Sequence, residues 1–232
     1  MRESVDGGMN TIVIGASGGI GAALAGQLEA RGETVHRLSR RDGGIDLADE
    51  ASIRAAAASV PFEALDRLIV ATGMLHHEGI KPERSLRDLD AGQLQRSFLV
   101  NAIGPALVLR HFTPLLRKDG VTRTALLSAR VGSIADNRLG GWYGYRASKA
   151  ALNQFVRSAA IEIARTRPQA VVVALHPGTV DTAMSRPFQA NVAPGKLFTP
   201  DHSAERLLAV LDGLGPKDSG GFFDWKGEAI PF

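Results

Sequence analysis

Cysteine is missing from all 232 residues. Its absence excludes disulfides, thiol catalysis and thiolate metal sites, and it fits a cytoplasmic location. The six histidines offer no substitute metal set, because none stand at a zinc-ligand spacing and the adjacent His76 and His77 make a poor pair for one ion. No metal is therefore expected. No uninterrupted apolar run approaches the length of a membrane span. Met1 to Asn10 is polar and lacks the apolar centre of a signal peptide. There is no long basic tail behind the net charge of +3. Nucleic acid and membrane are thus not expected partners, while an anionic small ligand is weakly favoured.

What is present is an alternation of strand and helix signals in a chain with 44% hydrophobic residues. Thr11 to Ile14, Thr34 to Leu38, Ile45 to Leu47, Leu65 to Ala71, Thr124 to Leu127, Val171 to Leu175 and Gly221 to Phe223 read as strands. Helical patterns fall at Ile20 to Ala30, Asp49 to Ala58, Leu89 to Leu116 (one long helix or a bent pair), Tyr145 to Thr166 and Ser203 to Leu211. The expected fold is α/β, a single-domain Rossmann-like doubly wound parallel sheet with helices on both faces. Only Ser39 to Gly44 separates the second strand from the third, so that crossover is shortened and lacks the usual helix. Residues 1–8 read as a flexible leader, with Met9 a candidate natural start, and residues 9–232 as the domain.

Gly15-Ala16-Ser17-Gly18-Gly19-Ile20-Gly21 follows the first strand and opens the first helix. Glycines let the backbone turn tightly and approach a pyrophosphate, and the helix N-terminus offers it free N–H groups. Ser17 can add a hydroxyl; the competing reading is a turn needed only for packing. The second strand ends in Leu38-Ser39-Arg40-Arg41 rather than in an acid. Serine and arginine suit a ribose phosphate, so NADP(H) is expected over NAD(H), with Arg40 as first contact and Arg41 second. A solvated charge pair is the alternative. Asp46 is either an acceptor for the adenine amino group or a turn residue. Ala71-Thr72-Gly73 ends a strand in small residues that let a ribose lie close.

Tyr145 and Lys149 stand four apart in a predicted helix and project from one face. An ammonium beside a phenol lowers its pKa and prepares it to exchange a proton with a carbonyl or alcohol oxygen. Taken alone, the pair is an ordinary surface motif; behind a dinucleotide turn it points to redox chemistry. Asn101 lies in a helix where asparagine is intrinsically unfavourable. It either binds water along a proton route past Lys149 or stabilises a kink.

From Thr11 to about Trp225 the chain resembles the short-chain dehydrogenases/reductases of the compact type. The resemblance rests on the glycine motif with Gly15, Ser17, Gly19, Ile20 and Gly21, on Asp46 with its neighbour Leu47, on Asn101, and on Tyr145 with Lys149. Pro177-Gly178-Thr179-Val180-Asp181-Thr182 is similar to the family's segment whose last threonine contacts the nicotinamide. The resemblance implies that Tyr145 and Lys149 also contact the cofactor, as do Pro177, Gly178, Val180 and Thr182. Gly132-Ser133-Ile134-Ala135-Asp136-Asn137, the Gly-Gly-Trp-Tyr run before Tyr145, and Gly221 to Gly227 look most like the C-factor and sniffer-type carbonyl reductase group. The implied activity is NADPH-dependent reduction of an aldehyde or ketone, with Tyr145 as proton donor. The implied assembly is a homodimer or homotetramer.

The chain departs from that pattern at the substrate-orienting serine, where Ala129 stands. Ser133, Ser128 or no serine takes its place. Residues 183–200 form either a substrate lid or an irregular loop, with Met74, Leu75, Trp142 and Tyr143 as further walls. Arg130 either meets an acidic substrate or forms a structural ion pair. Two rival functions follow. One is an NADP(H)-binding signalling or regulatory protein with dispensable catalysis. The other is a redox-neutral epimerase, which Arg40 disfavours.

Overall fold

The computed structural model describes residues 8–76 and 81–232; residues 1–7 of the expected leader, and His77 of the histidine pair, lie outside them. Along the chain run β1 (Asn10–Ile14), α1 (Gly19–Ala30), β2 (Thr34–Leu38), α2 (Glu50–Ala58), β3 (Arg67–Val70), α3 (Ala91–Phe98) and α4 (Gly104–Phe112). Then come β4 (Arg123–Leu127), α5 (Tyr143–Ala164), β5 (Val171–His176), β6 (Thr179–Val180), β7 (Leu197–Phe198), α6 (Pro200–Gly213) and β8 (Phe222–Asp224). Six strands form one parallel sheet in the order β2-β1-β3-β4-β5-β8, and β6 pairs with β7 separately.

Alternate residues of the central strands feed two cores, as a sheet covered on both faces requires. Ile12, Ile14, Val70, Leu126 and Val172 meet Ile53 of α2, Val108 and Phe112 of α4, and Leu152 and Val156 of α5. Val13, Ile69, Leu127, Val173 and Leu175 meet Leu24 and Leu28 of α1 and Leu207 and Leu211 of α6. Each such side chain, fully buried, contributes about 1.5–3 kcal/mol. The doubly wound parallel fold read from the alternation is therefore the fold observed.

One expected strand does not form. Ile45 and Asp46 have no regular structure, Leu47 enters a turn, and β2 is the sheet edge. The N–H groups that a ladder would need are already engaged: Ile45 N donates to Ser39 O and Asp46 N to Ser52 Oγ. Ile45 and Leu47 are buried in the core while Asp46 is exposed, so the segment plugs the core without joining the sheet. The shortened crossover accordingly leads from β2 directly into α2 and β3.

The expected long helix is a bent pair. A π-turn at Leu99–Ile103 joins α3 to α4, and a 3-10 turn follows α4. Pro105 sits in the first turn of α4, where a missing N–H is tolerated. By length and mean hydropathy the stretch Ala91–Leu115 passes for a membrane span, contrary to the reading of the sequence. In this fold α3 and α4 both pack on α5, and α4 also packs on α2.

Candidate active site

A cleft of about 510 Å³ opens at the carboxyl ends of β1, β2 and β3. The glycine turn forms its inner wall. Gly15 has φ +89°, and a Cβ there would lie 2.8 Å from Ala71 O. A Cβ on Gly21 would strike Gly15 O, and one on Gly19 would come within 3.1 Å of Thr182 Cγ2. Helix α1 begins without a side-chain cap and without an acid in its first turn. Its N–H groups and dipole thus favour an anion, and the size of the cleft is that of a cofactor site. Ser17 lines the cleft, while Ile20 packs onto the core beneath it. The buried Thr72 Oγ1 has no protein partner among the described residues. Space, free donors and an unpaired hydroxyl together fit a dinucleotide.

At the outer end stand Ser39, Arg40, Asp46 and Leu47. Ser39 Oγ caps its own turn, accepting from Arg41 N at 3.2 Å and Asp42 N at 2.9 Å and donating to Asp42 Oδ2. Arg40 is exposed and has no ion-pair partner among the described residues, whereas Arg37 is held by Glu29. Arg40 lines the cleft. Asp46 Oδ1 accepts from Ala48 N at 2.9 Å, the turn bond that was one of its two readings. Its Oδ2 keeps no protein partner among the described residues.

Lys149, Asn101 and Gly73 converge deeper in. A Cβ on Gly73 would lie 3.5 Å from Lys149 Nζ, 3.6 Å from Asn101 Oδ1 and 3.6 Å from Met184 Cε. Lys149 is buried and its Nζ donates to Leu127 O at 2.8 Å. Nζ lies 5.9 Å from the centre of the Tyr145 ring. Burial dominates both groups: it pushes the Tyr145 phenol up to about 12 and the Lys149 ammonium down to about 7. The lowering of the phenol expected from a nearby ammonium is thus outweighed by desolvation. Asn101, fully buried in the π-turn, accepts from Met74 N and donates to Met74 O and Ser148 Oγ. π-turns often mark functional sites. Here the turn lets a helix asparagine reach the strand exit, so the kink belongs to the site.

The two serines are engaged differently. Ser128 Oγ donates to Asn153 Oδ1 at 2.7 Å, which commits its proton. Ser133 Oγ accepts from Asp136 N at 3.0 Å, which leaves its proton free to donate. Ala129 precedes a 3-10 turn whose Gly132 fits against Lys149: a Cβ there would be 2.7 Å from Lys149 Cβ. Arg130 pairs with Asp136 at 3.0 Å and with Asp224 at 3.2 Å, which is the structural alternative of its two readings. Arg130 and Asp224 line a smaller recess of about 250 Å³ with His176, which is held neutral chiefly by burial, its pKa lowered to about 4.

The Pro177–Thr182 segment completes the floor. Pro177 O accepts from Ser203 Oγ, Val180 O from Ser185 Oγ, and Thr182 touches the glycine turn. Gly178 has φ +80° and is crowded by Phe198 and Trp225. Residues 183–200 follow as a 3-10 helix (Arg186–Asn191) and β7. Phe188 of that segment meets Trp142 at 5.3 Å, and Trp142 meets Tyr145 at 6.3 Å between ring centres. Sequence reasoning missed Glu83 and Arg146, and it held Met184 only as part of the 183–200 segment. No local pattern marks Glu83, which meets Trp142 and Gly144 across a long stretch of chain.

A nucleotide-sized cleft on a parallel sheet, ending at a half-buried tyrosine beside a buried lysine, defines a dinucleotide-dependent oxidoreductase class. The short chain dehydrogenase model matches residues 9–193, and the chain belongs to that family. C-signal of Myxococcus xanthus is 42% identical over 149 residues, which cover 64% of this chain and 84% of that protein. The expected likeness to the C-factor group is borne out by it. The 1-hydroxy-2-glutathionyl-2-methyl-3-butene dehydrogenase of Rhodococcus sp. (strain AD45) is 30% identical over 229 residues, covering 92% of this chain and 96% of that protein. Among solved structures, the NADPH-bound carbonyl reductase from chicken fatty liver superposes with a TM-score of 0.80 at 27% identity. The match covers 97% of this chain and 99% of that one.

Proposed function

We propose that the protein is an NADPH-dependent carbonyl reductase converting an aldehyde or ketone to an alcohol. The observation that carries this reading is the buried Lys149 beside Tyr145 at the deep end of a glycine-walled cleft. A nicotinamide cofactor held in the cleft would supply the hydride for the carbonyl carbon. Tyr145, protonated throughout the neutral range, donates its proton to the carbonyl oxygen. Lys149 stabilises the phenolate left behind. Ser133 is the serine with a proton free to hold the substrate oxygen. Asn101 fixes the strand exit against which the cofactor rests.

Arg40 binds the ribose phosphate and Asp46 the adenine amino group, with Arg41 in reserve. The name of the chicken neighbour, an NADPH-bound carbonyl reductase, supports the choice of cofactor and of substrate class. Residues 9–232 act as one domain with residues 183–200 as lid. Exposed Ile103, Phe155 and Ile161 on the π-turn and α5 suit a homodimer or homotetramer. The protein works in the cytoplasm.

The test is Tyr145→Phe. It should bind NADPH as the wild type does and lose about 10²–10⁴-fold in kcat on a broad carbonyl panel. Unchanged activity would end the proposal. Ala129 favours a second reading, in which cofactor binding serves signalling and catalysis is dispensable. Full signalling by a Tyr145→Phe protein would favour that reading, and its loss would exclude it.

A further inference from the structure

We propose that Glu83 is a positioning residue for this site. It holds Trp142 in a left-handed backbone conformation, so that the indole links Tyr145 to Phe188 of the covering segment. The catalytic part of this proposal rests on the reductase reading; the link itself does not.

Three consecutive residues before α5 have positive φ: Gly140 at 62°, Gly141 at 63° and Trp142 at 51°. Glycine takes this region freely. Trp142 is the only other residue in it among the described residues. A bulky side chain there is strained and persists only when its surroundings enforce it. The enforcement is visible. Trp142 N donates to Glu83 O at 2.5 Å, and Gly144 N donates to Glu83 Oε2 at 3.1 Å. The main chain of Glu83 thus holds Trp142 N and its side chain holds Gly144 N, on either side of Tyr143. The side-chain bond locks the first turn of α5 against the main-chain one. On the opposite side Arg146 Nε donates to Gly140 O and Gly141 O at 3.1 and 3.0 Å, and its Nη1 to Val131 O at 3.2 Å.

Glu83 is an expensive choice for capping a helix. It is 2% exposed, and its Oε1 is buried without a hydrogen-bond partner. A serine or aspartate caps a helix without that burden. Gly144 makes room for it: a Cβ at Gly144 would stand 2.8 Å from Oε1 and 3.2 Å from Leu94 Cδ2. What the arrangement gains is the direction of Trp142. The indole meets Tyr145 edge-on at 70° and Phe188 at 64°, and Phe188 in turn meets His76 at 5.7 Å. Aromatic pairs at such distances and angles are attractive. The wall so formed over Tyr145 suits a flat, apolar carbonyl compound such as an aryl aldehyde.

The experiment uses the full chain with NADPH bound and compares Glu83→Ala, Glu83→Gln and Trp142→Gly. Trypsin cleavage after Lys196, which is followed by Leu197, reads the covering segment, and KM for an aryl aldehyde reads the pocket. Glu83→Ala and Trp142→Gly should each raise cleavage at this site about fivefold and KM for the aldehyde about tenfold, with KM for NADPH within about twofold. Glu83→Gln keeps an acceptor for Gly144 N and should behave like the wild type. Unchanged cleavage and KM in Glu83→Ala overturn the proposal, as does an equal rise in KM for NADPH or a failure of glutamine to rescue. Should Glu83→Ala not fold, Trp142→Gly decides, since glycine adopts the left-handed turn without strain; wild-type cleavage in it overturns the link. A wild type that reduces no aldehyde sinks the reductase reading, and the cleavage comparison still decides the link.

Discussion

Asn101 grips the main chain of Met74 at both ends, its Oδ1 accepting from Met74 N at 2.7 Å and its Nδ2 donating to Met74 O at 2.8 Å. A third bond, to Ser148 Oγ at 3.1 Å, ties the same amide to α5. The strand exit that walls the cleft is thereby fixed to the helix that carries Tyr145 and Lys149. Asn101→Ala leaves the half-buried Met74 N and O without this partner, at a cost of about 1–3 kcal/mol. The urea midpoint should fall accordingly, and NADPH should bind more weakly. A midpoint unchanged within error would show that the grip carries no stability.

Arg40 lines the outer end of the cleft and has no acidic partner among the described residues. Arg40→Ala should weaken NADPH binding about tenfold or more, the loss of one charge-assisted contact, and leave NADH binding unchanged. Titration of cofactor fluorescence with both nucleotides measures this directly. Equal weakening of the two would transfer the phosphate contact to another residue.

Lys149 predicts a particular dependence of stability on pH. Burial holds it down near 7, below its ordinary 10.5. Between these values the unfolded chain binds a proton that the folded chain does not, so wild-type stability rises with pH across that window. Below 7 the full burden of a buried charge is present. Lys149→Met removes that burden, so its stability relative to the wild type should be highest at pH 6 and should shrink by on the order of a few kcal/mol by pH 10. Tyr145 titrates above this window and is common to both proteins. Urea melts at pH 6, 8 and 10 give the slope, and a difference independent of pH would refute it.

Ala129 and Ser133 make a paired prediction. Ser133→Ala should lower kcat on the best carbonyl substrate about tenfold or more by removing a donor to the developing oxyanion. Ala129→Ser should raise kcat in the wild type and restore it in the Ser133→Ala protein. Steady-state kinetics of the four proteins suffices. No change in Ser133→Ala would assign that oxygen to Tyr145 alone.

Much of the fold was legible because central parallel strands are apolar on both faces and their helices carry a stripe: β5 and the stripe of Leu24 and Leu28 stand where the sequence puts them. Ile45 to Leu47 misled because burial alternates there as in a strand, while the hydrogen bonds go to Ser39 and Ser52. Strand character can be read from side chains; partners of backbone groups cannot. The Tyr–Lys spacing gave the pair but not its protonation, since desolvation depends on everything that surrounds the two groups. Glu83 left no trace at all, because it meets Trp142 and Gly144 across about sixty residues of chain.

The edge strand that never forms has a consequence for how cofactor choice can change. Residues 39–49 wall the outer end of the cleft yet share no ladder with β2. Their buried side chains are those of Ser39, Ile45 and Leu47. Such a segment can be exchanged as a cassette that keeps these three positions, without shifting the register of any strand. With Arg40 as the proposed phosphate contact, nucleotide preference would be modular, carried by a detachable border outside the ladder of the sheet.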